Sequence, residues 1–125
     1  MEIQTSFSIV NSAEEVQDGR VNVVNCIEEE LKVELTKPTP EAGKAALAAL
    51  ERALADYREG LFDVLVTAPI NKHTIQSDAF HFPGHTEYIE ERVGEGQKAL
   101  MILLKGDFRV ALVTGHVPCA TLPVN

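Results

Sequence analysis

Between Thr39 and Gly60 the chain carries its strongest structural signal, and that signal is helical. Thr39 offers a side-chain oxygen suited to an N-cap, and Pro40 fits the first helical position, where a missing N–H costs nothing. Ala46, Leu47, Leu50, Leu54 and Tyr57 follow at three- and four-residue spacings, which gathers them on one face. Gly60 suits the stop. The run 62–67 (FDVLVT) comes directly after, nearly all apolar, and reads as a strand buried on both faces, as in a parallel sheet. A helix leading into such a strand points to a layered α/β arrangement.

The flanks support that arrangement. Residues 12–18 (SAEEVQD) read as a short acidic helix, with Ser12 as cap and Glu15 three residues on, as in a capping box. Residues 20–26 (RVNVVNC) read as a strand. Residues 28–36 are ambiguous: their charge density suits a helix, while Val33-Glu34-Leu35 reads as the end of a strand. Toward the C-terminus, 100–104 (LMILL) and 109–114 (RVALVT) are two apolar runs with Gly106-Asp107 between them, which predicts a hairpin. The sheet is therefore expected to be mixed rather than all parallel.

A chain of 125 residues is long enough for one domain with a modest core. A formal net charge of −8 argues against nucleic acid or an anionic membrane as the main partner, but not against a small anionic substrate held at a locally positive site. The opening MEIQTSFSIV has neither the basic region nor the apolar run of a signal peptide, and no window reaches the length of a membrane span. Cys26 and Cys119 lie far apart with no CxxC pair, so buried free thiols in a reducing cytoplasm are expected.

Three segments carry chemistry, each beyond a strand or in a Gly/Pro-rich loop, where α/β sheets hold their ligands. In the first (VTAPINK), the strand ends, Pro69 turns the chain, and Asn71 and Lys72 follow. Lys72 is a compact cation able to hold a phosphate or carboxylate, or to act as an acid or base. The plainer alternative, favoured by sequence physics alone, has Asn71 capping a helix over 72–77 with Lys72 in solvent. In the second (FPGHTEY), Pro83 and Gly84 set a turn and place His85 and Thr86 near a helix start, where free N–H groups favour anions. His85 can donate a hydrogen bond, bind a metal or move a proton. Against this, Thr86 can be a mere cap and His85 a surface residue; the residues alone leave both open. In the third (VTGHVP), an apolar strand delivers His116 to a Gly/Pro-flanked end, as ligand, base or ordinary polar residue. One histidine does not make a metal site. His73 and His81 are read as facing solvent.

Taken together, VTAPINKHTIQSDAFHFPGHTEY and VALVTGHVP resemble the 4-hydroxythreonine-4-phosphate dehydrogenase family of vitamin B6 synthesis. The order and spacing of all three segments match, and the similarity runs from about DGRVNVVNC onward. The resemblance implies a layered α/β/α fold with a mixed sheet, similar to part of the isocitrate and isopropylmalate dehydrogenases. The absence of a GxGxxG run is then no objection. Residues 1–125 are expected to form a single α/β domain, a piece of a longer two-domain dehydrogenase.

The resemblance also implies an activity. Family members oxidise the 3-hydroxyl of 4-phosphohydroxy-L-threonine with NAD, and the β-keto acid loses CO2 to give 3-amino-2-oxopropyl phosphate. The His-Thr of the GHTE motif binds substrate, which carries over to His85 and Thr86; Asn71 and Lys72 are candidate phosphate or substrate contacts. The T-x-H-x-P histidine ligates a divalent cation (Zn, Mg or Co), which carries over to His116. The expected cofactor is NAD, with NADP as the alternative. The expected partners are a small phosphorylated hydroxy-amino acid and a second subunit in a cytoplasmic homodimer. The other metal histidines and the substrate-gripping Lys, Asn and Arg lie further along the family's chain, so the isolated piece is expected to be inactive. The rival readings are a dehydrogenase of a related phosphorylated hydroxy acid, such as phospho-threonate or phospho-erythronate, and a non-catalytic ligand-binding module.

Overall fold

The computed structural model describes residues 6–27, 30–31, 37–77 and 80–113. Strand β1, Phe7–Val10, pairs in parallel with β2, Val21–Val24, in the register Phe7↔Val21 to Val10↔Val24. The helix expected over 12–18 contracts to one 3-10 turn, Ala13–Glu15. Ser12 caps it, its hydroxyl accepting from the Glu14 N–H at 3.2 Å. The Glu15 carboxylate turns back one residue further than a capping box requires and accepts from the Asn11 N–H at 3.1 Å. Asn22 then ties this crossover to β2. Its side-chain oxygen accepts from the Gln17 N–H, and its NH2 donates to the Gln17 and Arg20 carbonyls.

Helix α1, Pro40–Arg58, forms as its pattern predicts. The Thr39 hydroxyl accepts from the Ala42 N–H at 3.2 Å. At the far end Gly60 takes φ +72°, its N–H bonds the Tyr57 carbonyl and the Leu61 N–H bonds that of Asp56. Those are the two bonds of a Schellman stop, and the left-handed φ is the reason glycine stands there. Leu47, Leu50 and Leu54 are buried with Ala46 packed beside them, whereas Tyr57 at the end of the stripe is 45% exposed. Tyr57 packs against Phe62 instead, the rings tilted by 46° with centroids 5.8 Å apart.

The core lies between α1, the segments 70–77 and 80–82, and α2, His85–Val93: Leu47, Leu50 and Leu54 meet Ile75, Phe80 and Tyr88. Phe80, Phe82 and Tyr88 form an aromatic trio with centroid separations of 4.7–5.7 Å. Such tilted and edge-on pairs add to the burial of the rings themselves.

The run 62–67 corrects a sequence expectation. It forms no strand; Leu65 packs on the core, while Val64 and Val66 are 75% and 87% exposed. Apolar, β-branched residues set a preference, but a strand exists only when a neighbour supplies its N–H and C=O partners. No such neighbour stands among the described residues.

The expected C-terminal hairpin does form. Strand β3, Ile102–Lys105, runs antiparallel to β4, Phe108–Ala111, through Gly106-Asp107, with Gly106 at φ +58°. Apolar side chains are exposed on both of its faces, Leu103 and Phe108 on one and Ile102 and Leu104 on the other. Among the described residues the architecture is thus mixed α/β with two separate two-stranded sheets, one parallel and one antiparallel, where one mixed sheet was expected. Cys26 is free and half-buried rather than buried. Cys119 and most of the ambiguous stretch 28–36 lie outside the described residues.

Candidate functional site

Residues 64–71 run beside α1 with neither turn nor bend, so the turn expected at Pro69 comes three residues later, at 72–74. The Asn71 side-chain oxygen accepts from the N–H groups of His73 (3.0 Å) and Thr74 (3.1 Å). Its backbone carbonyl accepts from the Ile75 N–H and the Thr74 hydroxyl. Asn71 thus caps a turn at 72–74, with Lys72 exposed on it. The helix expected over 72–77 does not continue beyond that turn. The chain instead forms an isolated antiparallel bridge, Ser77↔Phe80.

Gly43 sets where this turn sits. A Cβ at position 43 would lie 1.8 Å from the Thr74 carbonyl oxygen, so helix backbone and turn backbone approach as only glycine permits. Sequence reasoning passed over Gly43. The available signal was its place inside an otherwise strong helix, where glycine costs about 1 kcal/mol relative to alanine.

Gly84 is the N-cap residue of α2 and supplies no side chain to it. His85 is the first helical residue and half-buried; Thr86 follows, exposed. Thr86 is therefore not the cap of this helix, and the alternative that gave it only that role does not hold. Glu87 puts negative charge in the first turn, as the helix dipole favours.

His85 lines a cavity of about 290 Å³ with Val66, Thr67, Pro69 and Ile70 on one side and Ala46 and Ala49 of α1 on the other. Pro69 and Ile70 also wall a neighbouring cavity of about 390 Å³, lined by Gly43, Asn71 and Thr74. The structure thus places His85 and residues 66–70 around one cavity and sets Asn71 just past the shared wall. Lys72 and Thr86 line neither cavity. Residues 114–118 of the third segment, His116 among them, lie outside the described residues. His73 and His81 are exposed, as expected.

Behind His85, Tyr88 is fully buried, and its hydroxyl donates to Glu51 of α1 at 2.9 Å. Burial first, then the hydrogen bond to Glu51, push the Tyr88 phenol above its ordinary value. Arg92 lies 5.2 Å over the Tyr88 ring and 3.5 Å from the Glu51 carboxylate. Among the described residues no group of three or more His, Cys, Asp or Glu gathers as a metal would require, and no helix is long and apolar enough to cross a membrane.

The family model of the pyridoxal phosphate biosynthetic protein PdxA matches residues 1–125. A 4-hydroxythreonine-4-phosphate dehydrogenase of Bacteroides thetaiotaomicron is 69% identical over 118 residues, covering 94% of this chain and 32% of the relative. Enzymes of the same name from a Sulfurihydrogenibium species and from Aquifex aeolicus are 33% and 31% identical over 97% of this chain and 37% of theirs. The chain spans about a third of the length of these curated relatives. No solved structure matches it.

Proposed function

Because the chain belongs to the family of the pyridoxal phosphate biosynthetic protein PdxA, we propose that the family-length protein oxidises and decarboxylates 4-phosphohydroxy-L-threonine. The observation that carries this reading is the 69% identity to the Bacteroides dehydrogenase over 94% of the chain. The meeting of His85 with the 66–70 segment across one cavity supports it, since both segments belong to the pattern on which the resemblance rests.

In this reading His85 and Thr86 hold the substrate at the start of α2, where free N–H groups and the dipole favour its anionic groups. His85 donates a hydrogen bond from a half-buried ring, and Thr86 adds a hydroxyl. Asn71 and Lys72, fixed by the turn at 72–74, supply further contacts to phosphate or carboxylate. Holding the substrate rigidly orients its C3–H for transfer and removes much of the entropic barrier. When bound, NAD or NADP would accept the hydride from C3 as the hydroxyl gives up its proton, and the β-keto acid so formed would release CO2. The working form in this reading is a cytoplasmic homodimer. A divalent ion held with help from His116 belongs to the same reading. The described residues do not by themselves fit a metal.

Steady-state NADH formation from 4-phosphohydroxy-L-threonine, phospho-threonate and phospho-erythronate tests the proposal. The first substrate should have the highest kcat/KM; a clear preference for either other acid reassigns the substrate, and no turnover of any overturns the reading. The 125-residue chain alone should give no measurable rate. In the family-length protein His85→Ala should cost about 1.5–3 kcal/mol, the worth of a charge-assisted hydrogen bond, or roughly tenfold to a hundredfold in kcat/KM. Added metal should not rescue it, whereas His116→Ala should recover part of its activity in excess metal.

A further inference from the structure

Tyr88 and Glu51 stand outside every role assigned so far. Tyr88 is wholly buried beside Phe80 and Phe82. Packing of that kind holds α2 against the core, but apolar contact is non-directional and tolerates a helix turning about its own axis. The Tyr88 hydroxyl removes that freedom. It reaches one oxygen of Glu51, on α1, at 2.9 Å, and a hydrogen bond of this kind depends on direction as well as distance. Arg92, one turn further along α2, approaches the same oxygen at 3.5 Å and lies over the Tyr88 ring. Two side chains of α2 therefore converge on one acceptor of α1.

His85 lies three residues before Tyr88, and side chains at that spacing share a helix face. Whatever fixes the rotation of α2 at Tyr88 also fixes the direction in which His85 projects, one turn nearer the helix start. His85 meets the 66–70 segment, and Glu51 belongs to the same helix as Ala46 and Ala49 on the cavity's other wall. The wall and the anchor are thus one rigid element.

We infer that the Tyr88–Glu51 hydrogen bond is a positioning device, which sets the rotation of α2 and so aims the His85 imidazole into the cavity at residues 66–70. The inference deepens the reading of His85 as a substrate-binding residue, and it names Tyr88 and Glu51 as positioning residues, not catalytic ones.

The test needs no substrate, so its failure is distinct from failure of the dehydrogenase reading. In the 125-residue chain, nuclear Overhauser contacts from the His85 ring to the Val66 and Ile70 methyls report the ring's aim, and contacts among Leu50, Leu54 and Phe80 report the core. Glu51→Ala changes an exposed side chain, and Tyr88→Phe keeps the buried ring. Both should lose the His85 contacts while keeping those of the core. Glu51→Gln retains an acceptor oxygen and should restore them. Unchanged His85 contacts in both Glu51→Ala and Tyr88→Phe would overturn the inference. Loss without recovery in Glu51→Gln would do so too, since the effect would then follow the charge facing Arg92. Collapse of the core contacts in both variants would mark the pair as merely structural and overturn it equally.

Discussion

The helical region from Thr39 to Val93 and the strand pairs on either side of it are both rich in apolar residues, and they use them differently. In the helical region Leu47, Leu50, Leu54, Ile75, Phe80 and Tyr88 close on one another. In β1, β2 and the hairpin, Phe7, Ile9, Val21, Leu103, Leu104 and Phe108 remain more than half exposed. A helix completes its backbone hydrogen bonds within itself and needs only one face covered. A two-stranded sheet leaves edges open and two faces to cover, so it gains little stability alone. The structural integrity of this chain therefore resides in the helical region, and so does the best-placed candidate residue, His85.

Thermal and urea unfolding of single variants can break that comparison. Phe80→Ala empties a fully buried ring and should cost about 3–5 kcal/mol. Gly43→Ala drives a methyl into the Thr74 carbonyl and should cost about 1–3 kcal/mol, the usual range for overpacking. It should also disturb the amide resonances of His73 and Thr74, which report the Asn71 cap. Val66→Ser, on an exposed side chain, should change stability by no more than about 0.5 kcal/mol. A cost for Val66→Ser approaching that of Phe80→Ala would show that the 62–67 run is covered in solution, and the contrast between the regions would fall.

One contact sharpens the comparison because it joins the regions. Glu90 of α2 accepts from the Lys98 ammonium at 2.5 Å and from the Ala99 N–H at 2.8 Å, clipping the lead into β3 to the helix. The Lys98 hydrogen bond first, then the Ala99 N–H, hold the Glu90 carboxyl below the usual carboxylate range. Its folded-state value is depressed, so the clip is present at neutral pH and is lost only as pH falls through that depressed value. The Ala99 amide shift should therefore titrate below the usual carboxylate range while the core resonances stay still. A midpoint within that range would mean that Glu90 is free of its partners.

What was legible in the sequence follows the same divide. Helix α1 could be read from Thr39 to Gly60 because its cap, its apolar spacing and its stop are local signals. The hairpin was legible because Gly106-Asp107 is a local turn. The 62–67 run was not, because apolar content states a preference and pairing depends on residues distant in sequence. The site divides likewise. The Asn71 cap is a local event and was anticipated as an alternative. The close approach of Gly43 to Thr74 and the bond from Tyr88 to Glu51 join distant parts of the chain, and no motif announces them.

The turn at 72–74 has one further consequence. With its side-chain oxygen engaged by two backbone N–H groups, Asn71 has only its NH2 to offer a ligand, and the neighbouring Lys72 ammonium likewise has protons to give and no lone pair to receive one. In the proposed reading the Asn71 and Lys72 side chains therefore act as a polarity filter, giving protons to phosphate or carboxylate oxygens and offering no acceptor to an ammonium group.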